Sequence, residues 1–193
     1  MRSESTKLTR TQQIRQQDLI AAAIRVINTK GYAATSIMAI AKEAQTSKST
    51  VMYHFTSKED LLAAVIGTVY ADGAAYMKPR IDAATTMAAK LEAYIISNIE
   101  YLAQHADQIA AVHQIMLNSP LADYSGNAVE LLELLFLRGQ KAGEFCDFDA
   151  RTMAVSLRNV IDGSSFYILE NADLDTDAYA RSVAEMFTRA TKK

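Results

Sequence analysis

Apolar residues recur at helical spacing along most of this chain. Ile20, Ala23, Ile24 and Ile27 repeat at i, i+3, i+4 and i+7, the period of one helix face, and Lys30-Gly31 closes that segment. Thr35 or Ser36 then caps a short helix that gathers Ile37, Ile40, Ala41 and Ala44 on one side. Gln45-Thr46-Ser47 reads as a turn, and Ser47 caps a third helix over about Lys48 to His54. So short a helix does not stand alone, so Val51 and Phe55 must hold it against the two before it. Ser57-Lys58-Glu59-Asp60 has the form of a capping box with Asp in third position. It opens a fourth helix carrying Leu61, Leu62, Val65, Ile66 and Val69 to about Met77.

Pro79 predicts a new helix start, with that helix running to about His105. Met87, Leu91, Tyr94, Asn98, Tyr101 and His105 form a single stripe on it. A further helix covers about Asp107 to Leu117 and stops at Asn118-Ser119-Pro120. The next runs from about Gly126 to Ala142, with Leu131, Leu134 and Leu135, and ends at Gly143. Asp147 to Asp149 caps a helix reaching about Leu169, and the last runs from near Asp175 to about Ala190. No strand and no internal repeat is evident. The pattern predicts an all-α fold of about nine helices, a three-helix head with a helix-turn-helix and a larger helical body. The expected divisions are a flexible tail over 1–10, the head over 11–57 and the body over 58–193.

Composition narrows the class. Of 193 residues, 50% are hydrophobic and 22% charged, which supports a packed core and excludes wholesale disorder. The single cysteine, Cys146, excludes an intramolecular disulfide and fits a reducing compartment. The start MRSESTKLTR has no apolar core of a signal peptide, and no apolar run approaches the roughly 20 residues that span a bilayer. A soluble, cytoplasmic protein without membrane contact is expected. The net charge of -2 is divided unevenly. Residues 1–60 carry nine Lys or Arg against five acids, a formal +4, which leaves 11 against 17, or -6, for the rest. A polyanion partner for the head alone is the implication.

Two short helices joined by a turn of three or four residues form a helix-turn-helix, whose second helix enters the DNA major groove. Lys48, Ser49 and Thr50 lie in the first turn of that helix, where base edges are reached. Tyr53, His54 and Lys58 are placed to donate to backbone phosphates. In the body, Met87, Tyr94, Asn98 and Tyr101 offer apolar walls with a few polar handles, a lining that suits a small apolar or aromatic effector. His113, Met116, Asn159 and Phe166 are added to that candidate lining. Ordinary core packing of an amphipathic helix is the competing account of the same stripe.

No metal site is expected, because His105 and His113 have no carboxylate or cysteine at ligand spacing. Asp173, Asp175 and Asp177 fail as a calcium loop, with Ala178 and Ala184 where glycine and glutamate are needed. Glu144 and Asp147 beside Cys146 disfavour a thiolate. No Gly-rich phosphate loop, serine elbow or paired catalytic carboxylates appear, so neither an enzyme nor a cofactor is expected. Met153, Leu157, Val160, Ser164 and either Tyr167 or Ile168 form a stripe near the C-terminus, and Tyr179, Val183, Met186, Phe187 and Ala190 form another. Each suits either internal core or a partner.

Lys30-Gly31-Tyr32, Ala34-Thr35-Ser36, Ile40-Ala41, Ser47-Lys48, Tyr53-His54-Phe55 and Ser57-Lys58-Glu59 follow one another in the order seen at the N-terminus of TetR-family transcriptional regulators. The stretch Leu19 to Val65 resembles that domain. The resemblance implies that Ser36, Lys48, Ser49, Thr50, Tyr53, His54 and Lys58 meet a double-stranded DNA operator. It implies a body that holds an effector pocket and forms a homodimer through its last two helices, with Met153, Leu157, Val160, Ser164, Tyr167, Val183, Met186 and Phe187 at the interface. It also implies a repressor that a small molecule releases from a palindromic operator; an adaptor without a ligand, or an enzyme of the helical body, are the alternatives. Three positions depart from the family pattern: Met38 stands where arginine is frequent, Gln45 where glycine is usual, and Met52 where an aromatic is common. Methionine donates no hydrogen bond, so any contribution of Met38 and Met52 to DNA contact would be apolar.

Overall fold

The computed structural model describes residues 9–119 and 127–193. Among these are nine helices: α1 Arg10–Lys30, α2 Ile37–Glu43, α3 Lys48–His54, α4 Lys58–Ala83, α5 Met87–Gln104, α6 Ala106–Asn118, α7 Ala128–Lys141, α8 Ala150–Glu170 and α9 Thr176–Thr191. The expected tail lies outside the described residues except for Thr9 and Arg10, which cap and open α1. The Pro120 stop and the Gly126 helix start also lie outside them.

Most boundaries follow from local hydrogen bonding. Thr9 and Gln12 form a full capping box at α1. Ser36, Ser47, Thr86, Asp149 and Asp175 each accept a backbone N–H of the helix that follows. Ser57 does the same for Asp60, whose carboxylate reaches back to the Thr56 N–H at 2.8 Å.

Pro79 departs from expectation. It sits inside α4, which continues to Ala83, and the next helix starts only after Thr86. A proline within a helix costs about 3 kcal/mol through its missing N–H and its ring. Here Arg80 anchors the segment: its guanidinium lies 4.0 Å from the Tyr76 ring, donates to Tyr76 O at 2.9 Å and pairs with Glu100 of α5 at 3.7 Å.

The chain divides into two compact units, Met1–Thr68 with Ala110–Ala122, and Val69–Ile109 with Asp123–Lys193. In the first, α1 to α3 enclose Leu19, Val26, Ile27, Ile40, Val51 and Phe55. Thr35 is buried there too and donates to Gly31 O at 2.9 Å. In the second, α5 packs on α7, α8 and α9 around Leu91, Ile95, Ile99, Phe136, Leu157, Ile161 and Phe187. The α7–α8 loop is tied to the end of α9 by the Cys146 N–H, which donates to Thr191 O at 3.0 Å. Among the described residues, no helix is long and apolar enough to cross a membrane.

The turns after α2 and α7 share one backbone device. Thr46 N–H bonds Ala41 O and Gln45 N–H bonds Lys42 O; Glu144 N–H bonds Gly139 O and Gly143 N–H bonds Gln140 O. Each is a Schellman motif, which needs a left-handed residue at its centre. Gly143 fills that place at φ 74°, but in the helix-turn-helix Gln45 fills it at φ 51°. A side chain there costs about 1 kcal/mol against glycine. Gln45→Gly is therefore expected to stabilise the head by about 1 kcal/mol less the entropy of the freer unfolded chain. Chemical denaturation reads this directly, and a lowered midpoint would contradict the left-handed turn.

Candidate functional site

The helix-turn-helix is built by burial on one side and exposure on the other. Val51 and Phe55 anchor α3 inward, while Lys48, Ser49, Met52 and Tyr53 face outward. On α2, Ile40 and Ala41 face the core, and Met38 and Lys42 face out. Each helix thus presents a methionine and a lysine at i and i+4, on one face. Outward exposure is high for side chains of this kind: Met38 is 62% exposed, Met52 40% and Tyr53 72%.

Several residues expected at DNA are also engaged inside the head. Ser36 Oγ accepts the Ala39 N–H at 3.2 Å and keeps its own hydrogen to donate. Ser47 Oγ accepts the Thr50 N–H at 3.0 Å and shares hydrogen bonds with Ser49 Oγ at 2.7 Å and Thr50 Oγ1 at 2.9 Å. Tyr53 Oη accepts from Gln12 Nε2 of α1 at 3.1 Å, and its ring meets His54 edge-on at 5.0 Å. Lys58 Nζ lies 4.3 Å from the centre of the Tyr32 ring and donates to Tyr32 O at 3.3 Å. Lys48, Ser49, Thr50, Tyr53 and His54 come together on α3, Ser36 stands at the start of α2, and Lys58 opens α4. Sequence reasoning missed Gln12. Its place in the α1 capping box was visible locally, but its partner Tyr53 is 41 residues away.

The body candidates are divided. His113 and Met116 belong to the first unit; Met87, Tyr94, Asn98, Tyr101, Asn159 and Phe166 belong to the second. Asn159 and Phe166 are exposed on the outer face of α8, and Met87 is half-buried against the α5 core. Tyr101 is packed: its Oη donates to Val69 O at 2.9 Å, its ring stacks on His105 at 4.1 Å, and the absent side chain of Gly73 makes room for it. Burial, with Asp72 nearby, pushes the Tyr101 phenol up to about 12.

Tyr94 and Asn98, one turn apart on α5, behave differently. Tyr94 Oη and Asn98 Nδ2 are buried and make no hydrogen bond of good geometry among the described residues, although Arg158 and Asn98 lie close enough to Tyr94 to favour its phenolate. Burial raises the Tyr94 pKa above its ordinary value, against the lowering effect of Arg158 and Asn98. Burial also opposes the charge of Arg158. Its hydrogen bonds to Asp162, with Tyr94 and Tyr70 close by, nonetheless hold that guanidinium above its usual pKa. Arg158 Nε donates to Asp162 Oδ2 at 3.1 Å. The i, i+4 spacing of Arg158 and Asp162 was legible in the sequence; their place beside Tyr94 was not.

The expected interface stripe is divided in the same way. Leu157, Ser164, Val183 and Phe187 are buried in the body's own core, and Met153 and Val160 are partly buried against it. Ser164 Oγ shares a hydrogen bond with Tyr179 Oη at 2.8 Å. Tyr167 and Met186 are exposed, together with Val155 and Phe166.

Residues 19–65 match the family described as bacterial regulatory proteins, tetR family. No curated protein matches the chain. Solved structures share the fold over nearly the whole chain. A TetR transcription regulator from Haloarcula marismortui is 22% identical, with a TM-score of 0.80, covering 94% of this chain and 100% of that one. The fatty acid degradation regulator FadR from Bacillus halodurans is 20% identical, with a TM-score of 0.79, covering 95% and 97%. The ketosteroid transcriptional regulator KstR2 of Mycobacterium tuberculosis is 17% identical, with a TM-score of 0.69, covering 93% and 95%. Residues 19–65 thus match the N-terminal domain of the tetR family of bacterial regulatory proteins, and the described helices share their fold with these solved regulators over nearly the whole chain.

Proposed function

We propose that the protein is a repressor that binds a palindromic operator as a homodimer and leaves it when a small molecule occupies the body. The observation that carries this is the outward face of α2 and α3, with Lys42, Lys48 and the exposed tip residues beside a well-anchored inner face. One helix as short as α3 reads too few base pairs to be selective, and a two-fold dimer supplies two half-sites. A second copy is the proposed cover for Val155, Phe166 and Tyr167 on α8 and Met186 on α9. Gly163, exposed on the same stripe of α8 with no atom near its missing side chain, favours close approach of a partner helix.

For the effector we propose an apolar compound bearing a hydrogen-bond acceptor such as a carbonyl or carboxylate. Tyr94 Oη and Asn98 Nδ2 are the buried donors left for it, and Leu91 and Ile95 are apolar neighbours on the same helix. Regulators of fatty acid degradation and of ketosteroids share the fold, which agrees with that class. Release requires that the effector favour one arrangement of the protein over another by its differential affinity, commonly about 2 kcal/mol of coupling. The second reading is an adaptor without a ligand. The packing of Tyr101 favours it, because that side chain is committed to Val69 and His105.

Selection of the full chain against random duplexes tests the DNA-reading function. An enriched inverted repeat is expected, with binding that weakens steeply as salt rises. Uniform retention across the pool would overturn the proposal.

A further inference from the structure

We propose that Met38 and Met52 are specificity-determining residues that read the C5-methyl groups of thymine in the operator. This rests on the DNA-reading function proposed above. The outward face of the helix-turn-helix holds two kinds of side chain. The hydroxyls at its tip serve one another: Ser47, Ser49 and Thr50 form one hydrogen-bonded cluster at the start of α3. Tyr53 Oη is held by Gln12, and Lys58 Nζ by Tyr32.

The apolar side chains on that face have no such engagement with the core. The large exposed hydrophobic residues between residues 9 and 68 are Ile14, Met38, Met52 and Tyr53, and only Ile14 lies outside the helix-turn-helix. Met38 precedes Lys42 by one turn on α2, and Met52 follows Lys48 by one turn on α3. Each pair combines a cation for a phosphate with an unbranched apolar chain for a base edge. The major groove offers one apolar group to meet it, the thymine C5-methyl. A thioether cannot donate to guanine O6 or N7, so the G·C readout open to arginine is closed to Met38.

The experiment uses the full chain and the operator obtained by selection. Each thymine is replaced in turn by deoxyuridine, which keeps base pairing and removes only the methyl. Binding is expected to weaken about fourfold at each of two thymines per half-site, the ratio for one methyl-sized group leaving an apolar contact. Met52→Ala should abolish the penalty at one of these thymines, and Met38→Ala at another, with unchanged melting temperatures because both side chains are exposed. Deoxyuridine tolerated at every position, or penalties that persist in both variants, would overturn methyl reading while leaving operator binding intact. Uniform binding across the original pool would instead remove the DNA-reading function and methyl reading with it.

Discussion

Lys48→Glu is expected to lower operator affinity steeply while leaving the protein as stable as before, or slightly more so. Lys48 is the first residue of α3, and the first turn of that helix carries no acid. A helix N-terminus bears partial positive charge, so a lysine there is unfavourable for folding and a glutamate favourable. For an exposed helix of seven residues the gain is small, about 0.3 kcal/mol. At DNA the sign reverses. A cation aimed at phosphates becomes an anion, at a cost of about 1–2 kcal/mol in each head. In the proposed dimer two heads double the effect, so affinity should fall about 30-fold to 1,000-fold. The dependence on salt should also become shallower, by about two counterions per head. Titration of labelled operator at several salt concentrations, beside thermal melts, separates the two effects. A fall in melting temperature with affinity retained would show that α3 is not the recognition helix.

Gly139→Ala is expected to destabilise the body by about 3 kcal/mol, which lowers its melting temperature by about 6–12 °C. A side chain built at Gly139 would lie 3.0 Å from Phe145 Cγ and nearer still to two other ring atoms. The ring is enclosed by its neighbours. Phe145 is buried against Phe136, at 6.0 Å between centroids, and Phe148, at 6.4 Å. Its backbone N–H donates to Gly139 O at 3.2 Å, and the next residue is tied to α9. A single methyl group must therefore displace an aromatic cluster and the loop that holds the last helix. Phe145→Leu in the Gly139→Ala background should recover part of the loss, since the two changes share one space. Strict additivity in denaturation would sink this account.

The head was legible in detail because its signals are local. Ser36, Ser47 and Ser57 cap helices within three residues of themselves, and Val51 and Phe55 are apolar at positions that only an inner face requires. Gln45 was visible as a departure from a glycine pattern, and its φ of 51° supplies the physical meaning of that departure. Pro79 misled for a physical reason. Its effect on a helix is fixed locally, but Arg80 binds Tyr76 and Glu100, and the latter lies on another helix.

On α8 the repeat by threes and fours continues inward through Ile168, while Tyr167 turns outward. The direction of that repeat was not determined by the sequence, because Leu157 and Ser164 satisfy the same period whether a neighbouring helix or a second chain covers them.

By itself, then, the sequence determined an all-helical chain with a helix-turn-helix head, the caps of its helices and the likeness of that head to the tetR-family domain. These rest on hydrogen bonds and periodicities that span a few residues. Only the tertiary structure decided which side chains remain available for function. Gln12 occupies Tyr53, Tyr32 occupies Lys58 and Val69 occupies Tyr101, while burial leaves Tyr94 and Asn98 with donors unsatisfied. Such pairings join residues 26 to 41 positions apart, and no local pattern encodes a contact over that distance.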